Sequence, residues 1–97
     1  MTGDKKSNWT FFTNHMHVLI CLAQSPDLSL RDVAVKVGIT ERAVQRIIKE
    51  LEEEDYLSRR KVGRQNKYTL NLDAPLRHEL EANYSVGKAL KVFFDTE

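Results

Sequence analysis

The chain has 97 residues, 41% of them apolar and 30% charged, with a formal net charge of +1. That is the balance of one small domain with a single modest core, and so small a net charge makes bulk electrostatics a weak argument for a polyanionic partner. The lone cysteine, Cys21, excludes an internal disulfide framework and fits a reducing cytoplasm.

Residues 1–8 are polar, lack the apolar core of a signal peptide, and are expected to be a disordered tail, leaving 9–97 as the domain. The longest fully apolar run, 18–23, is far too short to span a bilayer, so a cytoplasmic protein without a membrane partner is expected. Trp9, Phe11 and Phe12 form an aromatic cluster that covers an edge of the core or a partner subunit, or else walls a small-molecule pocket.

Thr13 is placed to cap a helix that runs to about Gln24 and stops at Ser25-Pro26. Met16, Leu19, Ile20 and Ala23 share one side; Val18, Cys21 and Leu22 make the other side apolar too. A helix apolar nearly all round is buried on both sides. His15, His17 and Cys21 lie close in sequence, with His78 as the one further histidine, but two ligands on one helix in an apolar setting make no metal site. No cofactor is expected.

Residues 28–30 read as a short strand, with Ser29 as N-cap of the next helix and Asp32 able to bond back to it. Arg31 at that helix start either touches a phosphate or is simply solvated. Val33, Ala34 and Val37 form one apolar face. Gly38 suits the left-handed residue that ends a helix, and Ile39 follows as an apolar plug. Thr40 is a good N-cap for a second helix over 40–53, and Glu41 complements the positive end of its dipole.

In this second helix Val44, Ile47, Ile48 and Leu51 make one apolar stripe. Arg42, Gln45, Arg46 and Lys49 lie opposite. A helix with such a face fits the major groove of double-stranded DNA, where Arg reads guanine and Gln reads adenine; the plain alternative is a solvated surface. The acids Glu52, Glu53, Glu54 and Asp55 oppose the dipole and repel phosphate, so this end of the helix must point out of any groove.

Tyr56-Leu57 opens a strand, and 68–72 closes one with clean alternation that turns Tyr68, Leu70 and Leu72 inward. Between them, residues 58–67 hold five cations and no acid: Arg59, Arg60, Lys61, Arg64 and Lys67. Gly63 permits the hairpin turn. The hairpin is thus a wing whose cationic tip suits a phosphate backbone or a narrow minor groove. Residues 1–67 carry 12 Lys/Arg against 9 Asp/Glu, and 68–97 carry 3 against 5, so the positive charge gathers on the helices and hairpin.

Asp73 is placed to cap a further helix with Pro75 in its first turn. Leu76, Leu80, Tyr84, Leu90 and Phe94 then fall near one face, with a break at Tyr84-Ser85 where Ser85 caps a last helix of about ten residues. Gly87 weakens a helix by about 1 kcal/mol, and its place on the apolar face suggests close approach of another backbone. Residues 75–97 are expected to be a helical segment used in dimerisation.

The stretch 30–72 resembles the winged helix–turn–helix of bacterial transcription regulators of the MarR and ArsR kind. The resemblance rests on Ala34, Gly38-Ile39, Val44 and Ile47, Tyr56-Leu57, Gly63-Arg64, and Tyr68-Thr69-Leu70. It implies a mainly α fold with a small β-hairpin wing. It implies that Thr40, Arg42, Gln45 and Arg46 face bases or phosphates, that Arg60, Lys61 and Arg64 make wing contacts, and that the protein is a two-fold dimer. With Arg31, Lys49 and Lys67 added from their own positions, these are the candidate DNA-binding residues. The chain is shorter than a typical MarR-type protein, and the cysteine-rich metal motif of ArsR-type sensors is absent. The expected function is sequence-specific DNA binding by a homodimeric transcription regulator. The alternative is a winged helix used for protein–protein contact, which the basic wing disfavours and the acids at 50–55 keep open. No residue pattern names a small-molecule effector. Enzymatic activity is not expected: the chain has no phosphate-binding glycine loop, no paired-histidine metal motif and no nucleophile–base constellation.

Overall fold

The computed structural model describes residues 9–94, and the expected disordered tail at 1–8 lies outside the described residues. Six elements follow one another: α1 Asn14–Gln24, α2 Leu30–Val37, α3 Glu41–Glu53, β1 Leu57–Val62, β2 Gln65–Leu70 and α4 Val86–Lys91. This is the mainly helical architecture with one hairpin expected from the sequence.

The helix starts obey local capping chemistry. The hydroxyls of Thr13, Ser29, Thr40 and Ser85 each accept the backbone N–H three residues on, opening α1 to α4 in turn. Gly38, at φ +88°, ends α2, and the N–H of Ile39 then reaches back to the Ala34 carbonyl. The end of α3 repeats this geometry without a glycine. Asp55 takes φ +64°, Tyr56 N–H donates to the Leu51 carbonyl and Asp55 N–H donates to that of Glu52, which is the Schellman arrangement.

The core lies where α1, α2 and α3 meet and the hairpin closes one side. Val18, Leu22, Val33, Val44, Ile47 and Ile48 are its fully buried centre, joined by Leu51, Tyr56, Leu57, Tyr68, Val86 and Leu90. Ala34 is buried, consistent with a small residue at the contact of α2 with α3. Helix α1, expected to be buried on both sides, is buried on one side only: Val18, Leu19, Cys21 and Leu22 are buried, Met16 and Ile20 are half-buried, and Ala23 is exposed.

Strands β1 and β2 pair antiparallel from Leu57↔Leu70 to Val62↔Gln65, leaving Gly63-Arg64 as a two-residue turn. Gly63 has φ +63° and Arg64 is not left-handed, the pattern of a type II′ turn.

Three further sequence expectations are corrected. Residues 28–30 form no strand: Leu28 N–H donates to the Ser25 carbonyl, Ser29 caps α2, and Leu30 already belongs to that helix. Leu72 is half-exposed, because β2 ends at Leu70 and the alternation no longer applies beyond it.

The third correction concerns 75–97, read as helical. Residues 73–85 are turns, and among the described residues of this stretch regular helix is confined to the six residues of α4. The spacing of Leu76, Leu80 and Tyr84 imitates a helix, but Leu80 and Tyr84 are exposed at 83% and 57% and bury no stripe. The backbone groups are used across the connector instead. Pro75 bridges Ser85, Leu76 N–H donates to the Tyr84 carbonyl, and Val86 N–H donates to that of Ala74. The His78 imidazole takes the Leu80 N–H, a local bond that competes with helix.

Gly87 does meet another backbone. Its N–H donates to the Leu72 carbonyl at 2.9 Å, and a Cβ there would stand 3.0 Å from that oxygen and 3.1 Å from the Leu72 Cβ.

Candidate nucleic-acid interface

The apolar stripe of α3 is buried, so its opposite side is fixed outward: Arg42, Gln45, Arg46 and Lys49 are all exposed. Thr40 stands at the head of this face, with its hydroxyl capping Ala43 N–H at 3.0 Å. Arg31 is exposed near the start of α2. The hairpin stands beside α3. Gln45, Lys49, Glu52 and Glu53 of α3 line one open groove with Arg59, Asn66 and Tyr68 of the hairpin.

Ion pairing sorts the cations. On the strands of the hairpin, Arg59 Nε lies 3.1 Å from Glu52 and Lys67 Nζ lies 2.9 Å from Asp27. Lys67 faces Arg60 across the strands, a like-charge pair that the Asp27 contact relieves. Arg60, Lys61 and Arg64 are exposed and enter no ion pair among the described residues. Arg42, Lys49 and Arg31 are likewise without one, whereas Arg46 lies 3.6 Å from Glu50 one turn on. Glu50 also takes His15 Nε2 of α1 at 2.7 Å. That hydrogen bond holds the Glu50 carboxyl below the usual carboxylate range, against desolvation and with a lesser contribution from the nearby Arg46 charge.

The acids at the end of α3 therefore do more than point away. Glu50 and Glu52 hold basic partners on α1, α3 and β1. Arg59, Asn66 and Glu52 belong to the groove although the sequence reading did not place them there. Strand alternation could have marked Arg59 and Asn66, which share the Tyr68 side of the hairpin. Nothing local signals that Glu52 meets Arg59.

A second hollow of about 420 Å³ lies between α1, the end of α3 and the connector. Its apolar lining is Met16, Leu19, Leu51, Tyr56, Leu76 and Val86. The Tyr56 hydroxyl donates to the Pro75 carbonyl at 2.6 Å, and burial pushes its pKa up. Beyond it the aromatic residues of the N-terminal segment stay outside: Trp9 and Phe11 are exposed, and Phe12 packs edge-on against Phe93 just past α4. Of the readings offered for this cluster, covering an edge at α4 applies to Phe12.

Among the described residues, no group of three His, Cys, Asp or Glu side chains could hold a metal, and no helix is long and apolar enough to cross a membrane.

A helical triad, a steep turn into an outward-facing helix and a cationic hairpin define a winged helix–turn–helix, and the fold of this chain is MarR-like. Residues 13–58, just under half of the chain, match the family model "Winged helix-turn-helix DNA-binding". No curated protein sequence matches the chain. Among solved structures, a point mutant of ZitR from Lactococcus lactis superposes with a TM-score of 0.59 at 19% identity, covering 96% of this chain and 57% of that one. A structure of Lactococcus lactis ZitR described as a zinc-responsive MarR family member gives a TM-score of 0.50 at 20% identity, covering 95% and 65%. The chain thus spans less than two thirds of the length of either.

Proposed function

We propose that this chain is a cytoplasmic, homodimeric, sequence-specific DNA-binding transcription regulator and acts by binding rather than by catalysis. The observation that carries this reading is the exposed face of Arg42, Gln45, Arg46 and Lys49 beside a hairpin that presents Arg60, Lys61 and Arg64 exposed and without an ion pair among the described residues. In this reading α3 lies in the major groove, with Arg42 and Gln45 on base edges and Thr40, Arg46 and Lys49 on bases or phosphates. Arg60, Lys61 and Arg64 lie on the backbone or in the minor groove, and Lys67 with Arg31 flanks them.

The dimer is supported by the apolar surface left at one end. Phe93 and Phe94 are partly exposed, Val92 is 71% exposed, and Phe12 and Tyr84 extend the patch. Such a surface on a small chain marks an association site. Two-fold pairing would set two copies of α3 about 34 Å apart, one turn of DNA.

Selection of bound duplexes from a random library tests the whole reading. A two-fold-symmetric consensus is expected, and the absence of any enrichment refutes sequence-specific binding. The acids of α3 that hold Arg59 and Arg46 favour a second reading, a winged helix for protein contact. That reading predicts no DNA binding even at low salt.

A further inference from the structure

We propose that Glu50 and His15 are positioning residues for Arg46: Glu50 holds the guanidinium along α3, and a proton on His15 releases it to phosphate. This rests on the DNA-binding reading and adds a control to it. Glu50 uses both carboxylate oxygens, Oε1 toward His15 Nε2 at 2.7 Å and Oε2 toward Arg46 at 3.6 Å. The Arg46 contact is the longer one, and its side chain is 61% exposed on the candidate DNA face.

With a neutral imidazole, the trio His15, Glu50 and Arg46 sums to zero. Glu50 has one full cation to attract, and that cation is Arg46. With a protonated imidazole the trio carries one positive charge, and the nearer cation matches the carboxylate. Arg46 is then free for a phosphate oxygen, which forms stronger charge-assisted bonds than a carboxylate already shared.

The surroundings are mixed in charge. From α3, Glu50 and Glu54 line the hollow that His15 shares; from the connector come Arg77, His78 and Glu81. On α1 itself the other titratable side chains are Cys21, which is buried, and His17, whose Nδ1 bonds Asn14 at 3.0 Å. Reciprocity then requires that DNA binding draw a proton onto His15.

The test is DNA binding measured from about pH 8 to about pH 6, the span in which an ordinary histidine gains its charge. The probe is a mixed-sequence duplex of roughly three helical turns at low salt. Binding by the intact protein is expected to tighten about fivefold as pH falls, the lower end of ordinary coupling between sites. The log–log salt slope is expected to steepen by about 0.9 per chain, one more phosphate neutralised.

His15→Gln keeps a hydrogen-bond donor and should stay at the weak level across the range. His15→Lys carries the charge permanently and should bind at the tight level across it. Glu50→Gln should bind tightly already at the alkaline end. Arg46→Ala should lose the pH response, which a merely structural contact or a general gain of charge would leave in place. His17→Gln and His78→Gln should keep it.

A pH response that survives Arg46→Ala, or that disappears with His78→Gln alone, overturns the assignment. Binding that is unchanged from one end of the range to the other overturns this proposal and leaves the DNA reading standing. The absence of binding at every pH overturns both.

Discussion

Replacing Gly87 by alanine sets two effects of similar size against each other. In an open helix the change stabilises by about 1 kcal/mol, because glycine has more backbone freedom to lose. Here the new Cβ would stand 3.0 Å from the Leu72 carbonyl oxygen and 3.1 Å from the Leu72 Cβ. The oxygen cannot simply retreat, since it accepts the Gly87 N–H at 2.9 Å, and moving it stretches the bond that seats α4 on the chain just past β2. Forcing atoms into a packed contact costs about 1–3 kcal/mol. With a short α4 of six residues collecting little from propensity, crowding is expected to win by about 1 kcal/mol. For a chain of this size that lowers Tm by about 4–8 °C. Thermal and urea unfolding followed by circular dichroism measure it. A variant that melts higher than the parent would show that the connector gives way freely and that the Leu72–Gly87 contact is incidental.

Other changes separate recognition from support. Arg42→Ala should cost about 1–3 kcal/mol on the selected site and relax base preference at one position per half-site, whereas Arg64→Ala should weaken all duplexes alike and flatten the salt slope by about 0.9 per chain; competition titrations that gave the same pattern for both would refute the division of roles. Tyr56→Phe should cost about 1 kcal/mol by leaving the Pro75 carbonyl without its donor. Because burial raises the Tyr56 pKa, the stability it contributes is complete below the ordinary tyrosine value and is lost as pH rises through the raised one; alkaline unfolding that is identical in parent and variant would contradict this. Cys21 is buried, which raises its pKa against the opposing pull of Lys36, so an aromatic disulfide reagent should leave it unmodified in the native protein and modify it on unfolding.

Much of the fold was readable because helix starts and stops are local events. Thr13, Ser29, Thr40 and Ser85 each act within three residues, and Gly38 ends α2 by its own φ. The stripe of α3 was readable for the same reason: once Val44, Ile47, Ile48 and Leu51 are buried, the outward side follows from helix geometry. The connector was not readable. Leu76, Leu80 and Tyr84 have helical spacing, but bonds from Tyr56 to Pro75 and from Val86 to Ala74 decide its path. At the candidate interface the cations were visible and their partners were not. His15 and Glu50 are 35 residues apart, Asp27 and Lys67 are 40 apart, and no periodicity links them.

The arrangement of the hairpin has a consequence for how such a protein changes over generations. Leu57 and Tyr68 anchor the hairpin in the core and two ion pairs hold its strands, while Arg60, Lys61 and Arg64 are exposed and enter no ion pair among the described residues. Exposed substitutions of this kind usually alter stability by no more than about 0.5 kcal/mol. The turn end can therefore exchange side chains almost independently of the fold, provided Gly63 keeps the backbone reversal. Lineages carrying this scaffold can explore new contacts at the hairpin tip without first acquiring compensating changes in the core.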